Sequence, residues 1–423
     1  MHIRDPYPTG LPAAGGLLPQ LCQKGTSMSE QRKYRIGLFG ATGFTGGLCA
    51  EYLAQQLPDG TAWAIAGRNE QKLEAVRERL SQQGTQNLPG IIVADVEDPA
   101  SLERMAADCT VVITTVGPYV YYGEPVVRAC VEQGTHYCDL VGEPEFVNNM
   151  ICNWHDRARE TGAAIVNCCG FDSIPHDAGV LFTIRALEEA CGGPLEDPVE
   201  VEGVVTASGT FSGGTWQSAI TAFGRPRENR DAIRRARPLI EHHYPKKVGS
   251  LSQRPRYDRE LGGWLCPMPT IDPVVVQRSA RARPEYGPEF RYGHYMQTRG
   301  LARMIGGIAG VGGLLVGAQI GPVRRRLLQY RQSGEGPPKE KRERSWFRVR
   351  FRGRCAGQEV LCEVAGGDPG YEETARMLSE SAMSLAMDEG MPLETGVVTP
   401  VMALGDRLVE RLRAAGIRFE RLR

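Results

Sequence analysis

The chain reads Gly40-Ala41-Thr42-Gly43-Phe44-Thr45-Gly46 between an apolar run over 35–40 and a helical stretch over 45–56. In a strand–turn–helix setting each of these glycines has a separate physical task. Gly40 permits a tight turn, Gly43 lets the main chain come close to a pyrophosphate, and Gly46 lets helix and strand pack closely. The helix start offers unpaired N–H groups and the positive end of a dipole to phosphate oxygens. Thr42, Phe44 and Thr45 complete the loop as cofactor-binding candidates. The spacing is G-x-x-G-x-x-G, and no Gly-Lys-Ser/Thr follows, which excludes a nucleoside-triphosphate loop of the Walker type.

Outward from this loop the pattern alternates. Apolar runs at 62–67, 91–94, 111–116, 136–140 and 163–168 read as buried strands, with helical stretches at 69–82, 99–107, 123–133 and 146–161 between them. Asp98-Pro99 has the form of an N-cap followed by proline at the first helical position. Such alternation with short loops predicts parallel βαβ units in a doubly wound, Rossmann-type sheet. After Gly170 the pattern changes to a helix at 177–190, strand-like runs at 200–207, 274–278, 346–352 and 359–365, and helices at 215–223, 371–388 and 400–414. The predicted fold class is α/β: an N-terminal Rossmann doubly wound parallel sheet with a C-terminal α+β domain. The predicted division is a disordered tail over 1–28, a dinucleotide-binding domain over 29–175, a substrate domain over 176–370, and C-terminal helices over 371–423 packing back on the core. Residues 1–27 are rich in Pro and Gly, so Met28 is read either as the natural start or as the end of a loose tail.

Composition narrows the function classes. The 423 residues hold 50 Lys+Arg against 50 Asp+Glu, and zero net charge argues against a general nucleic-acid binder. Hydrophobic residues at 41% exclude global disorder. The 12 cysteines form no C-x-x-C pair and no Cys/His run at zinc spacing, so free thiols in a reducing cytoplasm and no metal are expected. His155, His242, His243 and His294 show no ligand spacing and are expected at the surface or in packing.

The second strand ends in Ala66-Gly67-Arg68-Asn69. No acidic residue stands there to bind a ribose 2′-hydroxyl; Arg68 suits a 2′-phosphate instead, which favours NADP(H) over NAD(H). A solvated arginine at a helix start is the competing reading. Asp95 either reaches the adenine or caps the next turn. The fourth strand ends in Thr114-Thr115-Val116-Gly117-Pro118-Tyr119. Strand carboxyl ends line the ligand crevice in such sheets, so Gly117 and Pro118 turn the chain at the cofactor, and Tyr119 either faces the nicotinamide or packs. Asp172, Ser173, His176 and Asp177 fall where the last strand hands over to the second domain. His176 is a candidate proton donor, because imidazole titrates near neutral pH, and Asp172 a second catalytic candidate. The alternative is that Asp172 and Ser173 cap the helix that follows. Residues 208–215, Ser-Gly-Thr-Phe-Ser-Gly-Gly-Thr, form a second Gly-rich turn, read either as an N–H donor set for a substrate carbonyl or as a strand–helix corner.

Residues 304–323 carry no charge and seven glycines, and Arg299, Arg303 and Arg324-Arg325-Arg326 flank them. Such a segment is either a shallow interfacial element or a helix pair, joined at glycines, that is buried or lies at a homodimer interface. Residues 324–354 hold 12 Lys+Arg and 3 Glu. That run suits an anionic membrane surface or an acidic carrier protein presenting an acyl chain; a solvated loop is the alternative for 334–344.

Five segments recur in order: 40–46, Ala66-Gly67-Arg68, Val116-Gly117-Pro118-Tyr119, Asp139-Leu140-Val141-Gly142-Glu143 and Gly170-Phe171-Asp172-Ser173-Ile174-Pro175. Together they resemble the saccharopine dehydrogenase-like oxidoreductases, from about Tyr34 to the C-terminus. The branch includes bacterial trans-acting enoyl reductases of lipid assembly and a eukaryotic lipid-droplet homologue. The resemblance implies an NADP-type Rossmann domain and a C-terminal α+β domain. It does not extend to saccharopine as substrate, because true saccharopine reductases carry a Gly-Leu-Asp-Pro-Gly type sequence where this chain has 170–175. The expectation is an NADPH-dependent oxidoreductase, cytoplasmic or peripheral at a membrane, reducing a polarised C=C bond of a hydrophobic or carrier-linked acyl substrate. Tyr119, Asp172 and His176 are its catalytic candidates. The alternatives are a saccharopine-type imine-reducing dehydrogenase and a membrane-associated nucleotide-binding scaffold without turnover.

Overall fold

The predicted alternation becomes a sheet of parallel strands: β1 (Tyr34–Phe39), β2 (Trp63–Gly67), β3 (Gly90–Val93), β4 (Cys109–Thr114), β5 (His136–Asp139) and β6 (Ala164–Val166). Helices α1 (Phe44–Gln56), α2 (Glu70–Gln82), α3 (Pro99–Asp108), α4 (Tyr119–Glu132) and α5 (Pro144–Thr161) connect them. A computed structural model of the chain describes residues 32–209, 213–330 and 337–423, which form one compact unit; the expected tail over 1–28 lies outside the described residues. Every residue of β2 and β4 is buried, as helices on both faces of a parallel sheet require. Local chemistry sets the helix starts. The Asn69 side chain accepts from Lys72 N to open α2, and Asp98 accepts from Ala100 N and Ser101 N ahead of Pro99 in α3.

The strand order is β3-β2-β1-β4-β5-β6, so the topology reverses between β1 and β4. Ligands bind outside the strand carboxyl ends at such a switch point. From β6 the chain enters α6 (Ile174–Cys191) and a second, mixed layer. This layer begins with β7 (Val199–Ser208), α7 (Gly213–Phe223), α8 (Pro226–His243), β8 (Lys247–Ser250), β9 (Arg256–Asp258) and β10 (Gly263–Pro267). It continues through α9 (Asp272–Ala282), β11 (Glu289–Thr298), α10 (Leu301–Gln319), α11 (Gly321–Tyr330), α12 (Lys339–Glu343), β12 (Trp346–Cys355) and β13 (Gln358–Gly366). After α13 (Glu372–Met387) come β14 (Gly396–Val398), α14 (Pro400–Ala414) and β15 (Arg418–Arg421). The second sheet runs β15-β13-β12-β7-β11-β10-β9, with β8 paired to β11. α6 lies on β12 and β13. Gly179 makes that approach close: a Cβ there would stand 2.4 Å from the Phe351 ring.

Several expectations need correction. Residues 274–278 are not a strand. Their β-branched run lies inside α9, where Val275, Val276, Ser279 and Ala280 are buried at helical spacing, so tertiary packing overrides β propensity. β11, near the centre of the second sheet, was not expected, since Arg, Gly and His interrupt its apolar pattern. The division at 175 and 370 does not hold either. β14 pairs with β6 as the seventh strand of the first sheet, while β15 pairs with β13 in the second. The C-terminal segment is thus woven into both sheets, and its helix α13 packs on α1, β4 and β5.

The uncharged segment over 304–323 is not a buried helix pair. It lies in two successive helices, α10 and α11, whose apolar side chains face solvent: Ile305 is 56%, Val316 63% and Ile320 50% exposed, with only Met304 and Ala318 buried in α10. The basic run is also less free than its composition suggests. Arg348 and Arg350 pair with Glu363, Arg352 with Asp258, Glu202 and Glu260, and Arg354 with Glu359. Four of its twelve cations are therefore paired with acids of the second layer, two of them sharing Glu363.

Candidate active site

The glycine loop joins β1 to α1 under strong steric control. Gly40 has φ +92°, and a Cβ on it would stand 2.7 Å from Thr115 Oγ1 and 2.8 Å from Val116 Cγ2. A Cβ on Gly46 would stand 2.2 Å from Gly40 O, inside any van der Waals contact. Thr115 ties the loop to the neighbouring strand: its N–H donates to Phe39 O (3.0 Å) and its hydroxyl to Gly40 O (3.2 Å). Gly43 is the N-cap of α1, with no side-chain cap and no acidic residue in the first turn. The N–H groups of that turn lack intrahelical acceptors by geometry. Thr42 and Gly43 are exposed at the crest, while Phe44 and Thr45 are half-buried. A cradle where a Cβ would clash, beside an uncapped helix start without negative charge, fits a dinucleotide pyrophosphate.

Arg68 is exposed at the carboxyl end of β2, open to a 2′-phosphate. Asp95 takes the capping role: its Oδ1 accepts from Glu97 N (3.1 Å), and Ser101 holds its main chain. Gly117 and Pro118 lead from β4 into α4, with Pro118 at its N-cap.

Sequence reasoning did not single out Arg342, which reaches this loop from α12. Its guanidinium lies over the Phe44 ring at 5.4 Å, and Tyr371 meets the same ring edge-on at 5.0 Å. Arg342 Nη1 is 3.4 Å from Glu372, while its Nε and Nη1 make no hydrogen bond among the described residues. A cation with unspent donors beside a helix N-terminus is what a second phosphate contact needs. The signal available in the sequence was only its membership of the basic run.

The other strand ends are held by two buried carboxylates. Asp139 closes β5, accepting from Tyr137 Oη (3.0 Å), Asn167 Nδ2 (2.6 Å), Cys168 N (2.9 Å) and Val141 N (3.1 Å). Burial raises its pKa to about 6 against the pull of those donors. This grip holds Cys168 at φ +65°. Glu143 accepts from Tyr119 N (3.1 Å), Val120 N (2.9 Å) and the Ser218 hydroxyl (2.7 Å), so it satisfies the start of α4 and ties it to α7. Burial pushes its pKa up as well.

The three catalytic candidates separate. Tyr119 is buried, and its hydroxyl donates to Thr114 O (3.0 Å) and accepts from Leu140 N (3.4 Å). It packs and braces strand ends instead of presenting an acid. Burial drives the His176 imidazole well below its usual range, with His294 adding to the shift, so it is neutral at pH 7 and a poor proton donor. Asp172 is only half-buried; its carboxylate lies beside Gly142, and burial raises its pKa. Ser173 occupies the N-cap of α6, but its hydroxyl donates to Asp172 O (2.7 Å), so the expected side-chain cap is not made. Within the second Gly-rich turn, residues 210–212 lie outside the described residues.

Residues 36–166 match the family model described as the saccharopine dehydrogenase NADP binding domain. A Mycobacterium tuberculosis protein bearing a trans-acting enoyl reductase name is 37% identical over 418 residues, covering 93% of this chain and 98% of its own. A Bos taurus protein named saccharopine dehydrogenase-like oxidoreductase is 33% identical, covering 92% of this chain and 98% of its own. Among solved structures, apo saccharopine dehydrogenase (L-Glu forming) from Saccharomyces cerevisiae has a TM-score of 0.52 at 13% identity, covering 92% of this chain and all of that one. At that identity the likeness shows the fold alone.

Proposed function

The chain belongs to the saccharopine dehydrogenase-like oxidoreductases and is NADP-dependent, and from that premise we propose that it reduces a polarised C=C bond of a hydrophobic, acyl-linked substrate. NADPH, when bound, supplies the hydride. The α1 N-terminus with Gly40, Gly43 and Gly46 holds the pyrophosphate, Arg68 selects the 2′-phosphate, and Arg342 adds a contact from the second layer. Asp172, with its carboxyl pushed toward the protonated form by burial, returns the proton to carbon directly or through a water it orders.

One observation carries the substrate class. The exposed apolar hairpin of α10 and α11 stands one helix away from the crevice. α7 packs against both helices, Trp216 Nε1 donates to Leu327 O (2.7 Å), and Ser218 of the same α7 bonds Glu143 in the crevice wall. A greasy surface coupled to the strand ends suits an acyl chain delivered from a membrane face or a carrier. Two arginines of the second layer are already engaged: Arg278 donates to Val397 O and Arg225 to Glu145. The enoyl name of the mycobacterial relative points the same way.

α10 is the one described helix long and apolar enough to cross a membrane. Its six glycines and its basic flanks suit shallow insertion at an anionic cytoplasmic surface instead. NADPH oxidation measured against enoyl thioesters of increasing chain length, and against keto acids with amino acids, tests the proposal. Turnover on long-chain enoyl thioesters alone supports it; turnover only on a keto acid with an amino acid overturns it.

A further inference from the structure

We propose that His176, Asp272 and His294 form a binding site for a first-row divalent transition-metal ion, with zinc the best fit to the donor set. The three residues come from the first turn of α6, the start of α9 and the middle of β11, so the fold assembles a cluster that no sequence spacing announces. The proposal stands apart from the reductase reading.

The geometry is that of ligands around an ion. His176 Nε2 is 3.7 Å from Asp272 Oδ1, and His294 Nε2 is 3.6 Å from Asp272 Oδ2. All donor atoms of the trio lie within 4.8 Å of one another. These separations are too long for hydrogen bonds. They lie near the edge of a tetrahedron with bonds of about 2.0–2.2 Å, which is about 3.3–3.6 Å. Thr270 Oγ1 hydrogen-bonds His294 Nε2 at 3.1 Å, a contact that an ion at that nitrogen would displace. Beyond the ring, His176 Nδ1 meets Tyr292 Oη at 3.0 Å. An outer partner of that kind fixes the tautomer that leaves Nε2 free to ligate.

The electrostatics require an answer as well. All three side chains are at least 95% buried, and Asp272 Oδ1 has no hydrogen-bond partner among the described residues. A buried acceptor without a donor is costly, and an ion between the two imidazoles and the carboxylate would satisfy it. Neutral imidazole is the form that binds metal, and Asp272 supplies the anionic ligand beside it. Imidazole with carboxylate suits zinc over calcium or magnesium. Such an ion would pin α6 and α9 to the second sheet just behind Asp172.

A second trio, His155, Asp156 and His243, provides an internal control, since its Asp156 is 72% exposed. The full chain, purified through a tag without histidines, is assayed for metal by elemental analysis. Near-stoichiometric zinc that is lost in Asp272→Asn and His294→Gln, and kept in His243→Gln, is the expected result. Wild-type protein stripped by a chelator and given cobalt(II) should then show visible d–d bands that added zinc abolishes, which decides the matter if the variants fail to fold. Wild type without bound metal and without a zinc- or cobalt-dependent change overturns the proposal. So does metal lost in His243→Gln and kept in His294→Gln.

Discussion

Gly43→Ala separates a phosphate cradle from an ordinary turn. At Gly43 the backbone is extended, with φ −79° and ψ 169°, so any residue can adopt it. The nearest atom to an added Cβ is Gly40 O at 3.4 Å, an ordinary contact. The fold therefore accepts the methyl at the cost of a weaker N-cap, about 1 kcal/mol or less. The same methyl stands at the exposed crest, where a pyrophosphate accepting from the first turn of α1 must come into contact. Moving that phosphate outward weakens one charge-assisted hydrogen bond or more, each worth about 1.5–3 kcal/mol, which predicts an NADPH Kd raised by about 10- to 150-fold. Gly46→Ala is the contrasting variant. Its Cβ would lie 2.2 Å from Gly40 O, and relieving that overlap costs about 1–3 kcal/mol of stability whether or not a ligand binds. Thermal unfolding and NADPH titration by fluorescence, run on both variants, read the two effects separately. A Gly43→Ala protein with unchanged Tm and NADPH affinity within about twofold of wild type would refute the cradle.

Four further outcomes are expected. Arg68→Ala should reduce the preference for NADPH over NADH by about tenfold or more, measured as the ratio of the two affinities. Arg342→Ala should weaken NADPH by about 5- to 10-fold and flatten the salt dependence of its Kd, leaving Tm nearly unchanged. Asp139, with its folded pKa raised to about 6, binds its proton more tightly folded than unfolded, so its contribution to stability falls as pH rises from about 4 to about 6. Relative to Asp139→Asn, urea unfolding of wild type should lose about 3 kcal/mol across that window. Finally, Ile305→Glu with Val316→Glu should abolish flotation on anionic liposomes while leaving turnover on a short, soluble thioester intact.

The first sheet was legible because its strands are buried on both faces and its loops carry turn chemistry. The Asp98-Pro99 cap depends on neighbours within a few residues and forms as expected, and Gly40 and Gly46 stand in the turn and against it. The second layer was less legible. Its central strand β11 mixes Arg291, Gly293 and His294 with buried Phe290 and Tyr292, so no apolar run marks it. Val274-Val275-Val276 looked like a strand because β-branched residues favour sheets, yet Asp272-Pro273 starts a helix there. Asp139 and Glu143 were visible as members of a recurring segment, but their work as acceptors for distant N–H groups is a tertiary fact. Arg342 and the His176–Asp272–His294 cluster belong to the same class. Each joins segments far apart in the chain, and local periodicity carries no information about such meetings.

The reductive reading stands or falls on where the hydride goes. Incubating the protein with NADPH deuterated at the transferring C4 position and a long-chain enoyl thioester, then weighing the acyl product by mass spectrometry, reads this directly. The account predicts a saturated product carrying a single deuterium, formed more slowly by a Gly43→Ala control of weakened cofactor affinity at limiting NADPH. An unchanged enoyl thioester, with the deuterium appearing instead in the secondary amine formed from a keto acid and an amino acid, would contradict it.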